Sequence, residues 1–378
     1  ETYKVPLHDE TLISVCSDKE ASNSTIQVTY KHPQQEVKYE KDFKGSITRS
    51  LYNRMLGERF REMSRQADAP FNFAYSGYGR NVGDIDAYTS YATVKEGKVR
   101  EGLEALMTEN KRVLDHGFLA SELERAKTQT MTSVEKAFKE KDKIESSRLV
   151  RRMVSHFLNA SPLMNTEQRI NLFKKYLPEI TLADVNALAA QWITKENRVL
   201  VIQTPEKSSS LVPEERALLS LLNSIDNRET EPYTDNVSEE PFFAETLNPV
   251  KIEEEKTMES VGAKHIKLAN GVEVFMKQTD FKNDEVMMTA SSAGGHSLIS
   301  DEDFMSASMT SPLIGQFGIA KMDMGQMQKA LAGKVVRVSP YIGELSEGMS
   351  GNASPDDLET MMQLIYMYFE MPRSDELI

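Results

Sequence analysis

Six histidines are the side chains best able to bind a metal or move a proton near neutral pH: His8, His32, His116, His156, His265 and His296. No two of them lie within 20 residues of each other. A helix that holds zinc presents two imidazoles about one turn apart, and that spacing is missing. A single cysteine, Cys16, excludes an internal disulfide framework and a thiolate zinc cluster. His296 follows Gly294-Gly295 and reads as a loop or helix-approach residue, and His116 before Gly117 reads as a helix C-terminus, where a cation suits the macrodipole. Ser76 to Arg80 (SGYGR) lacks the Lys-Ser/Thr of a phosphate loop and falls between strands. GELSEG holds no serine elbow, no spacing singles out a Ser-His-Asp triad, and Glu122 and Glu124 are accounted for by helix capping. These residues assign no catalytic and no metal-binding side chain, and they leave the substrate-binding residues unknown.

The elements around them follow from hydrophobic period. STIQVTYKH alternates, with Ile26, Val28 and Tyr30 on one face, as a half-buried strand does. Phe43, Ile47, Leu51, Met55 and Met63 recur at helical spacing from Asp42 to about Gln66, and Pro70 follows. Phe71–Gly79 and Asp84–Val94 read as strands able to pair through Gly79 to Gly83. Helices are expected from Lys98 to Asp115, stopped at Gly117, and from Ser121, with Glu124 completing a capping box. A charged helical stretch continues to Phe157, where Arg148, Arg151 and Arg152 read as a solvated face. Thr181 and Asp184 cap another helix, and Arg198–Thr204 is a buried strand. Later strands flank Asn270-Gly271, a hairpin signal, and cover EVMMTASS, KVVRVSPYI and ELSEGMSGNA. Residues 301–332 read as helix broken at Pro312 and Gly318. Ser354, Pro355 and Asp357 open a last helix with Leu358, Met361, Met362, Ile365 and Phe369 as its apolar face. Most of the 20 methionines read as core positions. Antiparallel-looking strands that do not alternate one for one with helices predict an α+β fold, a sheet with helices on one face.

Lys207 to Ser260 divides the chain. It holds 13 acids against 5 bases and four prolines, and within it Leu218 to Leu222 looks able to bury itself. That composition predicts a solvated linker with room for one short helix. It separates an expected complete unit, residues 1–206, from an expected partial one, residues 261–378. The first residue is Glu1 and the last helix has no tail, which suggests a processed chain or a piece of a longer one. Net charge −13 argues against nucleic acid and anionic membrane surfaces as partners. No apolar run approaches the roughly 18 residues of a membrane span.

Several stretches carry a specific resemblance. ETYKVPLHDETLISVCSDKE, LYNRMLGERFREMSRQADAPFNFAYSGYG, HGFLASELERAK and EITLADVNALAAQWITKENRVLVIQTPEK resemble, in order and spacing, the second domain of the pitrilysin/insulinase family of zinc peptidases, the inverzincins. LANGVEVFMKQTDF and ALAGKVVRVSPYIGELSEGMSGNASPDDLETMMQLIYMYFEMPR resemble the opening of the third. The resemblance implies repeated units of a helix-covered sheet, set as two halves around an enclosed chamber. This chain would supply the second unit, the connector and the start of the third. The family signature H-x-x-E-H, two zinc-binding histidines flanking a general-base glutamate, is absent. In the third-domain unit its helix would fall near Phe304 to Leu313, which reads FMSASMTSPL, so Glu359 or Glu370 as a further ligand would have nothing to join. The active signature would precede Glu1, and the substrate-holding Arg and Tyr would follow Ile378.

The resemblance and the missing signature together imply a non-catalytic section of a zinc metallopeptidase, forming chamber wall, hinge and peptide-substrate contact. The chain itself would hold no cofactor, with zinc in the parent's first domain. Expected partners are peptide or unfolded protein and the flanking domains. An exposed face on the last helix would also allow a homo-oligomer. The alternative is a metal-free scaffold or core-subunit-like interaction protein of the same fold. A periplasmic or cell-envelope address is the weakest of these expectations. Zinc measured by atomic absorption on the purified, dialysed chain is expected near zero per chain; close to one per chain would contradict the assignment and point first to His265 and His296.

Overall fold

The computed structural model describes residues 4–237 and 241–373. Residues 1–3, 238–240 and 374–378, which belong to the expected first unit, linker and second unit, lie outside the described residues. The chain forms two compact units.

The first comprises residues up to 134 and from 153 to 236. Its strands are β1 (Leu12–Asp18), β2 (Ser24–Pro33), β3 (Phe73–Val82), β4 (Ile85–Val94) and β5 (Arg198–Pro205). They form one sheet in the order β1-β5-β2-β4-β3, antiparallel throughout except that β1 runs parallel to β5. Residues 1–23 carry no strand signal in their sequence, because β1 is an edge strand whose side chains are mostly exposed and show no alternation. The helices are α1 (Glu40–Ser64), α2 (Val99–His116), α3 (Ala120–Lys139), α4 (Ser146–Asn159), α5 (Thr166–Tyr176), α6 (Leu182–Trp192) and α7 (Glu215–Asp226). The ends of α3 and α4 that fall within residues 135–152 count with the second unit.

One face of the sheet is dry. Ile26, Val28, Tyr30, Ala74, Tyr88, Ala92, Leu200 and Ile202 are buried there beneath α1, α2 and α6. Trp192 fills the centre, stacked on Tyr78 (4.8 Å) and Tyr88 (5.5 Å) with Tyr52 edge-on (4.8 Å). Such aromatic contacts add about 0.5–1.5 kcal/mol each beyond area burial. Gly102 lets α2 reach the sheet, since a Cβ there would stand 2.3 Å from Val94 Cγ1. The polar groups that enter this layer are satisfied. Asn110 on α2 accepts from Tyr88 (2.5 Å) and Ser90 (3.3 Å) and donates to Ser76 (3.2 Å) and the Leu106 carbonyl (2.7 Å).

Arg59 is the other polar intruder, 1% exposed on the buried face of α1. Its Nε and Nη2 donate to the two Glu122 oxygens (2.8 and 2.7 Å), and Nη1 to Glu109 (3.1 Å). Nη2 also reaches the Gly117 carbonyl at 3.2 Å. Glu122 in turn accepts the Leu119 amide at 2.8 Å, so α3 is capped at Leu119 by Glu122, not at Ser121 by Glu124. Ser121 instead donates to Asp235 at 2.5 Å. The Thr181–Asp184 capping box is present as expected (3.2 and 2.8 Å), and Gly117 follows the last residue of α2 with φ +73°.

The acidic stretch from Lys207 is only partly solvated. Leu218, Leu221, Leu222 and Ile225 of α7 are buried. Beyond α7 a strap, Arg228 to Asn236, crosses the helical layer. Arg228 pairs with Glu104 (2.8 Å), Thr230 donates to Asp115 (2.8 Å), and the Glu231 carbonyl accepts from Arg112 (2.9 Å). The Tyr233 ring centroid lies 4.1 Å from the Arg59 guanidinium carbon, and its hydroxyl donates to Glu62 at 2.6 Å. Asp235 takes a bidentate pair from Arg125 (2.7 and 3.0 Å). Composition shows charge and proline here; it cannot show that the charges have fixed partners.

The second unit comprises residues 135–152 and those from 237 onward. Its strands are β6 (Ile252–Met258), β7 (Ala263–Leu268), β8 (Glu273–Met276), β9 (Val286–Ala293), β10 (Val336–Ile342) and β11 (Ser346–Ala353); its helices are α8 (Phe304–Phe317), α9 (Met324–Ala330) and α10 (Leu358–Glu370). They make two antiparallel sheets, β6-β7-β8 and β10-β11-β9. β7 and β8 turn at Asn270-Gly271, with Gly271 at φ +89°. Ser354 caps the last helix by accepting the Asp357 amide (3.2 Å). Pro312 lies inside α8 without ending it, and Gly318 (φ +92°) is the break. Lys139 pairs with Asp284 (2.9 Å) and Asp356 (3.0 Å), which push its pKa up to about 12.

Two expectations about packing are corrected. The face of α10 that enters the core is Met361, Leu364, Met367 and Tyr368, while Leu358, Met362 and Phe369 are exposed. Both stripes are apolar, so period alone could not choose between them. The methionines divide likewise: Met55, Met107, Met322, Met327, Met349, Met361 and Met367 are buried, whereas Met153, Met287 and Met305 are more than half exposed.

Replacing Arg59 by Met strands two buried carboxylates, a change that costs about 3–5 kcal/mol. Arg59→Met is expected to lower the thermal midpoint of the first unit by roughly 6–20 °C; a shift within about 1 °C would show that the cluster does not hold the helices.

Candidate functional site

The histidines are placed apart and mostly serve the backbone. His32 Nε2 donates to the Trp192 carbonyl (3.0 Å), and burial lowers its pKa, so the ring is neutral at pH 7. His116 ends α2 and reaches the Thr230 carbonyl (2.5 Å); His8 and His156 hold the carbonyls of Glu10 (2.6 Å) and Ser161 (2.7 Å). His265 stacks on Phe275 (4.6 Å) and meets Glu273 (3.1 Å). His296 lies edge-on to Phe304 (5.5 Å). Among the described residues, no three His, Cys, Asp or Glu side chains stand together as a metal-holding group.

α8 covers the stretch where a zinc helix would fall. Phe304 to Phe317 presents hydroxyl, thioether, amide and apolar side chains and no imidazole or carboxylate. A zinc site needs nitrogen, thiolate or carboxylate donors, so these residues do not fit the metal. Arg148 and Arg151 are exposed along α4, and Arg152 is half-buried.

The surface best shaped to meet another chain is the face of the five-stranded sheet opposite the helices. The register places Phe73, Tyr75, Tyr91, Thr89, Gln27 and Val201 on that side. Phe73 is 52% exposed and Tyr75 44%. Tyr75 stacks on Tyr91 (5.5 Å, 30° between planes) and packs beside Phe73 (6.0 Å). Rings fixed by cross-strand neighbours and left open on one side offer apolar contact at little entropic cost. β3 is also an edge strand, and Asn53 covers part of that edge by pairing with the Tyr78 amide (3.0 Å) and carbonyl (3.2 Å). Alternation of Phe71, Phe73 and Tyr75 is visible in the sequence; which of the two faces lies uncovered is not.

What sequence reading missed is the buried cluster of Arg59 with Glu109 and Glu122, although a capping role for Glu122 was expected. A signal existed: Arg59 sits four positions after Met55 on the apolar stripe of α1, and Glu109 lies between Leu106 and Val113 on that of α2. A charge on a buried stripe calls for a buried partner.

No family model matches the chain. A zinc protease PQQL-like protein of Arabidopsis thaliana is 28% identical over 378 residues, covering 99% of this chain and 34% of the relative. The periplasmic protease PqqL of Escherichia coli shares the fold at a TM-score of 0.56 and 17% identity, over 100% of this chain and 42% of that one. Pitrilysin does so at 0.59 and 11%, over 100% and 40%. The chain spans between 34% and 39% of the length of the curated relatives it matches. No helix among the described residues is long and apolar enough to cross a membrane. The match along nearly the whole chain and the shared α+β fold make the chain similar to a section of zinc proteases of the PqqL and pitrilysin kind.

Proposed function

We propose that this chain is a non-catalytic section of a zinc peptidase, a wall of its substrate chamber. On this reading residues 1–206 are the second peptidase-like domain, 207–260 the connector and 261–378 the start of the third. Zinc sits in a part of the parent before Glu1. The observation that carries the proposal is the open sheet face with Phe73, Tyr75 and Tyr91, aromatic and uncovered on an otherwise helix-packed unit. A peptide laid on that face would lose the same apolar area in ground and transition states. Its contribution is therefore to binding rather than to the chemical step. The strap from Arg228 to Asn236 is held to the helical layer, so any hinge in the connector lies beyond it. The E. coli relative is periplasmic, and a periplasmic or cell-envelope address is proposed for this protein too.

The test uses the full-length parent. Peptide cleavage is expected to stop on chelation and return with zinc. Phe73→Ser with Tyr75→Ser is expected to raise KM about 3–10-fold at unchanged kcat, the signature of lost uniform binding. Cleavage indifferent to chelator would contradict the zinc-peptidase reading. An inactive parent without H-x-x-E-H would favour the metal-free scaffold. An unchanged KM in the double variant would remove the sheet face from substrate contact.

A further inference from the structure

At the end of β3, on the helix side of the first sheet, a cavity of about 200 Å³ opens between the segment joining β2 to α1 and the turn after α4. It lies on the opposite side of the sheet from the aromatic face. Its floor contains two buried polar groups, Asp86 and Tyr78. Asp86 is 6% exposed; one of its oxygens accepts the Gln35 amide (2.9 Å), and among the described residues no Lys or Arg stands at ion-pair distance from it. His32 nearby is neutral at pH 7 and does not balance it. Tyr78 is 7% exposed and its hydroxyl is set toward Asp86, with no further partner among the described residues. Burial beside that carboxylate pushes its pKa up, so it remains a neutral hydroxyl.

The cations that line the cavity differ in how far they are engaged. Lys38 pairs with Glu36. Arg80 donates to the carbonyls of Asn159 (3.1 Å) and Gly83 (3.2 Å). Among the described residues Arg49 donates to the neutral amide oxygen of Gln35 (2.9 Å) and pairs with no carboxylate, with its guanidinium carbon 5.9 Å from the Tyr78 ring centroid. Ala160, on the wall, holds φ +51° without being glycine, a costly backbone that persists where surroundings impose it. A second cavity of about 500 Å³ shares Val37, Lys38 and Pro162 with the first and is walled by Phe43, Met164 and Leu172.

A buried carboxylate short of a cation, with a tyrosine hydroxyl beside it, and a guanidinium short of an anion match a ligand that carries both charges. We propose that this cavity binds a free α-amino acid with an apolar side chain: its ammonium on Asp86 and Tyr78, its carboxylate on Arg49, its side chain toward Phe43 and Leu172. The volume suits a ligand of this size, since a cavity of about 150 Å³ takes up benzene. Each pairing removes a deficit that otherwise costs the folded state, because buried charges are stable when paired.

The probe is L-leucine, titrated into the purified chain and followed calorimetrically and by amide chemical shifts. Saturable binding is expected. Leucinamide, which lacks the carboxylate, and N-acetyl-leucine, which lacks the ammonium, are each expected to bind at least tenfold more weakly. Asp86→Asn keeps the acceptor for the Gln35 amide and is expected to abolish binding of L-leucine with the fold intact by circular dichroism; Arg49→Gln is expected to weaken it by a similar factor. Should either variant fail to fold, the two blocked ligands on the unaltered chain decide alone. No saturable binding of L-leucine, or equal binding of all three ligands, would overturn the proposal.

Discussion

The first unit depends on one buried charge. Arg59 sits on the dry face of α1, where an apolar residue would ordinarily pack, and it can remain only because two carboxylates come to it. Glu109 arrives on α2 and Glu122 on the first turn of α3, so three helices are brought into register by one guanidinium. The Gly117 carbonyl and the Leu119 amide join the same cluster, fixing the turn between α2 and α3. Tyr233 then closes over the guanidinium face. Desolvating these ions costs several kcal/mol each, and the return is geometric: the arrangement tolerates few alternatives.

That constraint gives the connector its character. A strap rich in acid and proline would be free in solution, yet between Arg228 and Asn236 its side chains meet Glu104, Asp115, Glu62 and Arg125 in turn. The helical layer and the start of the connector behave as one body on this reading. The opposite face of the sheet is thereby supported from behind and left open in front. On the proposed function, the exposed aromatic rings of that face would give a bound peptide apolar area without a sequence-specific pocket.

Much of the fold was legible in the residues. Alternation in Ile26, Val28 and Tyr30, the helical period from Phe43, the Thr181–Asp184 cap and the Asn270-Gly271 turn each act within a few residues, and each appears where expected. What was hidden depends on distant partners. The cap of α3 moved because Glu122 answers to Arg59, 63 residues away. The core face of α10 turned because two stripes of equal hydrophobicity compete and only packing decides. β1 escaped notice because its side chains are mostly exposed and show no alternation, and its one strand partner, β5, lies at the far end of the unit's sequence. For the site, the sequence could show that α8 carries no zinc donors. It could not show that Asp86 and Tyr78 meet at one cavity, since they come from different strands with the turn after α4 closing over them.

The claim on which the rest stands is that the strap is docked to the helical layer. A double-mutant cycle on Arg125→Ala and Asp235→Ala, read by denaturant unfolding of the purified chain, measures it directly. Docking predicts a coupling energy of about 0.5–3 kcal/mol between the two side chains. Additivity within about 0.3 kcal/mol would mean that the strap is loose in solution, and the docked connector would have to be abandoned.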